Sequence, residues 1–350
     1  MKNPGHPNGA AGTVDSAHSV KAIAAFSGGL DSILAATLIA RLGVDVTLLH
    51  VQHLFSADEA GRARLCAAAE VIGLPLRIED ASAEHLDVIR HPRHGYGRGM
   101  NPCVDCRIFM LRIAKRVMEE EGAKFVVTGE VLGQRPKSQH HRALQQAAEE
   151  SGLGDRLVRP LCANLLPETL PVREGWLHRK DLYAIQGRSR EAQMALANEL
   201  GISDYPQPAG GCVLIEKTYA ARVRDAFAHV GRDQVDVEAF RLMKVGRHFR
   251  LSATTKVIIG RNRDENEALE AFSVSRTRID PLDAMGPTTL VEGKPTEEEI
   301  RLAAALTARY ADHDGRPTIA MRIVEANAER TMDVAPLDAN DPRIAQRRIG

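Results

Sequence analysis

Six consecutive residues near the N-terminus combine side-chain types that bind phosphate. They are Ser27, Gly28, Gly29, Leu30, Asp31 and Ser32. The two glycines let the backbone approach a ligand closely, and a helix that starts here offers unpaired N–H groups to an anion. The two serine hydroxyls can donate to phosphate oxygens, and the carboxylate of Asp31 suits Mg²⁺. The segment matches neither GxxxxGK[ST] nor GxGxxG. The alternative is a glycine turn that only starts a structural helix.

Three cysteines stand where thiol or metal chemistry is possible. Cys103 and Cys106 form a CxxC at a predicted helix start, and Cys212 follows two glycines in a turn. A CxxC is a redox pair, half of a zinc site or a chance pairing. A closed zinc site would have to recruit a histidine such as His94, and otherwise all three thiols are simply buried. Cys66 falls on the apolar face of its predicted helix and is assigned to the core.

Short apolar runs alternate with helical patterns through the first part of the chain. Strands are predicted over residues 20–26, 44–53, 74–80 and 125–128, and helices over about 31–42, around 65–72 and over about 106–121. This alternation predicts an α/β fold with a doubly wound parallel sheet. After Cys212 the charge density rises and the alternation stops, so a second, smaller α+β domain is predicted there.

The predicted domain limits follow from these changes in composition. A flexible tail is predicted at 1–19, a first domain at 20–212, a second domain at 213–330 and a second flexible tail at 331–350. The segment 91–103, rich in Gly, His, Arg and Pro, is long for a loop inside a compact domain and predicts a functional or mobile loop. A further helix is predicted over 188–200.

Length and composition narrow the class of protein. The 350 residues predict about two domains, and 44% hydrophobic with 26% charged residues excludes a disordered or collagen-like chain. The N-terminus has no apolar h-region, and no apolar run approaches the roughly 20 residues that cross a bilayer, so neither secretion nor a membrane span is expected. Five cysteines do not make a disulfide scaffold, which favours a cytoplasmic protein.

Basic residues cluster in two places although the net charge is zero. Arg188 and Arg190 start a helix in the first domain, where a solvated helix face is the alternative to a phosphate contact. Between Arg241 and Arg263 no Asp or Glu occurs, which predicts contact with a polyanion. The basic residues of this stretch are Arg241, Lys244, Arg247, Arg250, Lys256, Arg261 and Arg263. RNA contacts are predicted for Arg188, Arg190, Arg247, Arg250, Arg261 and Arg263.

The phosphate-binding segment SGGLDS resembles the pyrophosphate loop of the PP-loop (N-type) ATP pyrophosphatases. The segment TGEVLGQ at 128–134 is similar to TGExLGQ of the 4-thiouridine synthases, where this strand end lines the nucleotide site. The resemblance implies a PP-loop ATP pyrophosphatase domain at 20–212 with the adenine nucleotide alpha-hydrolase-like fold. It implies ATP and Mg²⁺, with AMP transferred to a substrate oxygen and pyrophosphate released. The nucleotide contacts implied are Ser27, Gly28, Gly29, Asp31, Ser32, Gly129 and Gln134, with Asp31 also catalytic.

The cysteines resemble those of sulfur-inserting PP-loop enzymes that modify tRNA uridines. In the cluster-dependent members, a CxxC and one distant cysteine hold a [4Fe-4S] cluster with one iron open. The resemblance implies that role, and catalysis, for Cys103, Cys106 and Cys212. In other members one cysteine carries a persulfide and another resolves it. Residues 260–267, GRNRDENE, resemble GRNxxxN of the NFACT RNA-binding module.

Together these features predict ATP-dependent thiolation of a tRNA uridine. The sulfur donor expected is sulfide or sulfur derived from a cysteine desulfurase. Bacterial 4-thiouridine synthases carry ferredoxin-like and THUMP regions, and a terminal rhodanese domain bears the persulfide. This sequence shows none of them, which leaves the modified position open and favours a cluster or an external donor. Alternatives are a PP-loop ligase or amidating enzyme, which has no use for three thiols, and a non-enzymatic RNA-binding protein, which the intact SGGLDS disfavours. The sequence leaves the oligomeric state open.

Overall fold

Two β-sheets of different type organise the chain. The computed structural model describes residues 20–56, 59–135, 138–206, 211–312, 314–325 and 328–350. The described residues fall into two compact units. Unit 1 contains the described residues of 20–52, 59–80 and 107–206, and unit 2 contains those of 53–56, 81–106 and 211–350. The domain limits of 20–212 and 213–330 stay a prediction, because compactness alone does not identify the segments that fold independently.

The strands and helices of the described residues are numbered in chain order. The strands are β1 (Lys21–Ala25), β2 (Asp45–Gln52), β3 (Leu76–Asp80), β4 (Phe125–Val127), β5 (Leu157–Val158), β6 (Arg247–Arg250), β7 (Lys256–Ile259), β8 (Thr277–Pro281), β9 (Thr289–Glu292), β10 (Ile319–Glu325) and β11 (Ala328–Val334). The helices are α1 (Leu30–Arg41), α2 (Glu59–Ile72), α3 (His85–Arg90), α4 (Cys103–Glu120), α5 (His141–Glu150), α6 (Leu170–Arg173), α7 (Glu191–Glu199), α8 (Lys217–His229), α9 (Val237–Leu242), α10 (Arg263–Ala271), α11 (Glu297–Arg309) and α12 (Pro342–Arg347). Within the described ranges, none of these helices is long and apolar enough to cross a membrane.

The sheet of unit 1 has five parallel strands in the order β3-β2-β1-β4-β5. In the centre of the sheet, Ala22 of β1 lies between Val46 of β2 and Phe125 of β4. Successive residues of a strand face opposite sides of the sheet, and Ala22 and Ile23 are both fully buried. Both faces of β1 are therefore covered, as in doubly wound folds. This confirms the predicted α/β class.

The strand order also places the two segments singled out in the sequence. The chain passes from β1 to β2 on one side of β1, whereas β4 lies on the other side. Ligands of open parallel sheets bind beyond the carboxyl ends of the strands where the order reverses. Loop 27–32 follows β1 and segment 128–134 follows β4, so both stand at this position of unit 1.

Unit 2 contains an antiparallel sheet of six strands in the order β11-β10-β8-β9-β7-β6. Helix α11 packs its apolar face on the sheet, with Ile300 and Leu306 buried in the same core as Phe249 of β6. A capping box at its start, in which Thr296 and Glu299 bond reciprocally, stabilises the helix. The mixture of helices with an antiparallel sheet confirms the predicted α+β second domain.

The prediction of a flexible tail over 331–350 is wrong. Thr331 lies inside β11, which pairs along its whole length with β10. Further on, Arg347 donates a hydrogen bond to the carbonyl of Leu251, and the N–H of Ile349 donates to that of His248 over 2.9 Å. The polar, charged composition of this segment suggested disorder, but one face of β11 and the buried Ile349 supply enough apolar contact to hold it. The tail predicted at 1–19 lies outside the described residues.

Candidate nucleotide loop and thiol site

Residues 27–32 form a tight turn between β1 and α1. Gly28 has φ +71°, a conformation that favours glycine. The Ser32 hydroxyl donates to the carbonyl of Gly29 over 2.8 Å, and it lies 3.2 Å from the hydroxyl of Ser27. Gly29 precedes α1 without a side-chain cap. The first N–H groups of α1 and two hydroxyls are thus gathered at the positive end of the helix dipole, which is an anion-binding arrangement.

Asp31 lies in the first turn of α1 and contacts the segment that follows β4. The side-chain amide of Gln134 donates to Asp31 Oδ2 over 2.9 Å. The second carboxylate oxygen, Oδ1, is buried and has no hydrogen-bond partner among the described residues. A buried carboxylate oxygen without a donor is destabilising, and a bound cation would remove that penalty. The Asp31 side chain therefore fits the Mg²⁺ that accompanies ATP.

Gly129 allows the end of β4 to pack directly on the start of α1. A Cβ at this position would lie 2.4 Å from both the carbonyl carbon and the carbonyl oxygen of Asp31, and 2.6 Å from the nitrogen of Ser32. Backbone atoms cannot move aside as a flexible side chain can, so a larger residue would push the two segments apart. The structure thus brings loop 27–32, Gly129 and Gln134 together around Asp31.

A buried ionic network fixes the segment that carries Gly129. Arg107 pairs with Oε1 of Glu130, and Arg159 Nε donates to Oε2 over 2.8 Å. Thr128 Oγ1 also donates to Oε2, over 3.1 Å. Burial alone would raise the pKa of Glu130, but the two guanidinium groups more than compensate and hold the pKa below its ordinary value. The carboxylate is therefore charged, and it anchors the backbone beside the loop.

The position of Glu130 inside TGEVLGQ is the only local signal for this ionic network in the described residues. Its two basic partners stand 23 and 29 residues away along the chain. Neither Arg107 nor Arg159 belongs to a recognisable motif. Only the packing of α4, β4 and β5 brings the three charged groups together.

Arg188 and Arg190 follow a stretch of chain that runs beside segment 128–134. Gln186 and Leu132 form a β-bridge, and the N–H of Gly187 donates to the carbonyl of Leu132 over 2.8 Å. Arg188 is exposed and Arg190 is half-buried before α7. Their predicted contact with RNA stays a prediction.

Cys103 and Cys212, distant in the sequence, both lie at the surface of unit 2. Both residues are exposed, and the side-chain amide of Asn101 donates to Cys103 Sγ over 2.9 Å. Although Cys212 is exposed as a residue, packing around its thiol raises the pKa of Cys212. Cys103 raises that pKa further, whereas the positive charge of Lys244 opposes the increase. The two thiols therefore lie within electrostatic range of each other.

Cys106 occupies a different environment beside a buried histidine. Its Sγ lies 3.3 Å from Nε2 of His85, which is 1% exposed. The ring of His53 stacks on His85 with 4.8 Å between the centroids. Burial, assisted by His53, lowers the pKa of His85 to about 3, so this imidazole is neutral at physiological pH. Sequence reasoning missed His85, because an isolated histidine has no diagnostic spacing.

The three thiols do not form a metal site as the structure places them. No group of three or more His, Cys, Asp or Glu side chains suited to a metal ion occurs in the described residues. Cys106 contacts His85, and Cys103 acts electrostatically on Cys212. The [4Fe-4S] cluster stays a prediction. The backbone N–H of His94, the histidine considered for a zinc site, donates to the carboxylate of Asp105.

The two remaining cysteines have structural environments. Cys162 is fully buried and donates to the carbonyl of Glu130 over 3.3 Å, and burial raises its pKa to about 11. Cys66 is half-buried rather than in the core, because Leu65 and Ala69 form the buried side of α2.

Most cations of the basic stretch have partners inside unit 2. The ion pairs are Arg250–Asp225, Lys256–Glu292, Arg261–Glu265 and Arg263–Glu267. Arg247 donates to the carbonyl of Gly260 over 3.0 Å and covers the ring of Tyr310. The acidic partners all lie outside 241–263, so a local charge count could not find them. Of the four arginines predicted here to contact RNA, Arg263 has the most exposed side chain, at 89%.

The GRNxxxN motif builds the turn between β7 and α10. Asn262 caps α10 by accepting the N–H of Glu265 over 3.0 Å. Asn266 accepts the N–H of Thr288 over 3.1 Å, and a Cβ at Gly260 would lie 2.0 Å from Asn266 Oδ1. The glycine and the two asparagines therefore have structural roles in this turn.

Comparison with known families matches both units. The family model described as thiamine biosynthesis protein (ThiI) matches residues 17–163, and that described as NFACT protein RNA binding domain matches residues 246–343. The first match covers the parallel sheet of unit 1, with both loop 27–32 and segment 128–134. The second match covers the antiparallel sheet of unit 2 and includes the GRNxxxN motif.

Similar curated proteins are tRNA-modifying enzymes by name. The tRNA-specific 2-thiouridylase MnmA of Xanthobacter autotrophicus is 32% identical over 147 residues, which are 38% of this chain and 38% of that protein. The enzyme of the same name from Azorhizobium caulinodans is 26% identical over 86% of this chain and 84% of that protein. A probable tRNA sulfurtransferase of Thermus thermophilus is 33% identical over 33% of this chain and 29% of that protein. The matches thus span well under half the length of two of these three relatives.

Proposed function

We propose that this PP-loop protein is an ATP-dependent tRNA sulfurtransferase. The observation that carries the proposal is the convergence on Asp31 of loop 27–32, Gly129 and Gln134. Three thiols in the same chain, an RNA-binding domain and relatives named as tRNA thiolases support it. The same loop in an amidating ligase would not require Cys103, Cys106 and Cys212.

In the first step, loop 27–32 would bind ATP, and the substrate uracil would attack the bound ATP. The N–H groups at the start of α1 and the hydroxyls of Ser27 and Ser32 would donate to the phosphate oxygens. Asp31 would hold Mg²⁺, which supplies charge neutralisation at the phosphates when bound. The uracil carbonyl oxygen would attack the α-phosphorus, and the bond to pyrophosphate would break. Gln134 would keep the Asp31 carboxylate oriented through this step.

In the second step, sulfur would replace the activated oxygen. A persulfide on one of the two thiols, received by transfer of the outer sulfur from the persulfide of a cysteine desulfurase, would attack the activated carbon, and AMP would leave. The partner thiolate would then attack the cysteine sulfur of the resulting mixed disulfide, which releases the thiocarbonyl and forms a Cys–Cys disulfide. An external thiol reductant would restore both cysteines. Cys103 and Cys212 suit this relay because both are exposed and the charge of Cys103 acts on the thiol of Cys212.

The proposed function is tested by measuring pyrophosphate and AMP release with and without unmodified tRNA. We expect pyrophosphate from the wild-type protein only when tRNA and Mg²⁺ are present, and AMP only when a sulfur donor is present as well. The release of ADP or phosphate instead would contradict an AMP-transfer mechanism. AMP release that depends on ammonia instead of a sulfur donor would favour the amidating alternative.

A further inference from the structure

The end of helix α9 carries two exposed basic residues of the stretch 241–263. Arg241 lies in the last turn of α9, and the backbone N–H of Lys244 donates to its carbonyl over 3.1 Å, so the two are one turn apart. Both residues are exposed. Among the described residues, Arg241 forms no ion pair with an acidic residue. Long exposed cations one turn apart are suited to adjacent phosphates of a nucleic acid.

Lys244 is adjacent to the thiol site of unit 2. Its Nζ lies 6.0 Å from the centre of the Phe55 ring. Phe55 packs edge-on against His85, with 5.9 Å between the centroids, and His85 contacts Cys106. The Lys244 charge also acts on the thiol of Cys212. One aromatic ring and one imidazole thus separate this cation from Cys106.

The other five basic residues of the stretch 241–263 contact groups within unit 2. Four of them form ion pairs with acidic residues, and Arg247 donates to a backbone carbonyl and covers Tyr310. Binding RNA through a paired arginine requires that its acidic partner be displaced or remain nearby as a repulsive charge. Arg241 and Lys244 lie at an exposed helix end beside the thiols. RNA binding by Arg241 does not require that an acidic partner be displaced.

We propose that Arg241 and Lys244 bind the phosphate backbone of tRNA and hold the target nucleotide next to the thiol site. This inference rests on the proposed function, because it presumes that tRNA is the substrate. The two residues immediately precede the segment that matches the RNA-binding family model, which begins at residue 246. RNA is the occupant that fits, since the site combines exposed cations with thiols that must reach a base.

Salt-dependent tRNA binding tests the proposal. Replacing either residue by alanine should lower the slope of log affinity against log salt by about 0.7 to 0.9, the value of one phosphate contact. Lys244→Arg keeps the charge and should restore the slope. Lys294→Ala and Arg301→Ala remove exposed cations of unit 2 that have no assigned role, and they should leave it unchanged. If the wild type binds tRNA normally and the slope is unchanged in both Arg241→Ala and Lys244→Ala, this inference is overturned and the proposed function is not.

Alkylation of the thiols tests the position of the bound RNA. Cys212 is exposed, so N-ethylmaleimide should label it in the free protein, and mass spectrometry can follow the rate. Saturating tRNA should slow the labelling of Cys212 several-fold, and Lys244→Ala should lose that protection at the same tRNA concentration. Full labelling under saturating tRNA would overturn the inference. If the wild-type protein does not bind tRNA at all, the proposed function fails with it.

Discussion

The side-chain amide of Gln134 donates a hydrogen bond of 2.9 Å to Asp31 and so joins two segments that are 103 residues apart. Asp31 belongs to the turn after β1, and Gln134 to the segment after β4. Between them, Gly129 packs its Cα against the backbone of Asp31. These contacts convert two short motifs into one site at the carboxyl edge of a parallel sheet.

Asp31→Ala is predicted to abolish tRNA-dependent pyrophosphate release while the protein stays folded. Asp31 Oδ1 has no hydrogen-bond partner in the described residues, so its removal does not break a structural contact there. Gln134→Ala should reduce the rate less, by about ten- to a hundred-fold, because one hydrogen bond to a charged group contributes about 1.5 to 3 kcal/mol. Pyrophosphate release and thermal unfolding are measured on the same preparations. Wild-type release by Asp31→Ala would show that the loop is misassigned.

Glu130→Gln is predicted to destabilise the protein by about 3 to 5 kcal/mol at pH 7, because it leaves the buried guanidinium group of Arg159 and the partly buried one of Arg107 without a charged partner. The pKa of Glu130 in the folded protein lies below its ordinary value of 4.5. Its stabilisation is therefore fully present above that pH and is lost as the pH falls through the folded-state pKa.

Denaturant unfolding of both proteins between pH 7 and pH 3 measures this effect. The difference in unfolding free energy between wild type and Glu130→Gln should be constant near neutrality and shrink below about pH 4.5. A difference that stays the same down to pH 3 would mean that the Glu130 carboxylate is not the group responsible.

Alanine at Cys103, Cys106 or Cys212 is predicted to abolish thiolation, whereas alanine at Cys66 or Cys162 leaves it active. The first three are the candidate sulfur-handling thiols, and Cys162 has its pKa raised to about 11 by burial and is unreactive. Nucleoside analysis of the reacted tRNA measures thiolation. Activity in all three single variants would exclude the thiols from the reaction.

Iron content and the visible spectrum of anaerobically purified protein separate the two sulfur routes. The proposed persulfide relay needs no cluster, so we expect a colourless protein and a persulfide detectable on the exposed Cys103 or Cys212 by mass spectrometry. A brown protein with about four irons would show that the three thiols rearrange to bind a cluster.

Arg250→Ala is predicted to destabilise unit 2 by about 3 kcal/mol, because Arg250 and Asp225 are both largely buried and bonded through two contacts. Arg263→Ala, which removes an exposed pair, should change the unfolding free energy by less than about 0.5 kcal/mol. Denaturant midpoints measure both. Equal effects would mean that the Arg250 pair is no more structural than the Arg263 pair.

Features set by local sequence were predictable from the residues alone. The parallel sheet followed from alternating apolar runs, and the loop at 27–32 from its glycines and its position after β1. The Glu130 network, the His85–Cys106 contact and the ion pairs of Arg250 depend on residues far apart in the chain, which local patterns do not encode. The tail at 331–350 was misjudged for the same reason, since β11 is held by a partner strand.

The most direct test of the central claim is the nucleoside composition of tRNA after reaction with the purified protein. Unmodified tRNA is incubated with ATP, Mg²⁺ and a sulfur donor, digested, and analysed by mass spectrometry for thiolated uridine. The account predicts thiouridine that accumulates with AMP in equal amounts, requires ATP and is absent with Asp31→Ala. Tight tRNA binding by a reduced, folded protein that forms neither thiouridine nor AMP would contradict it.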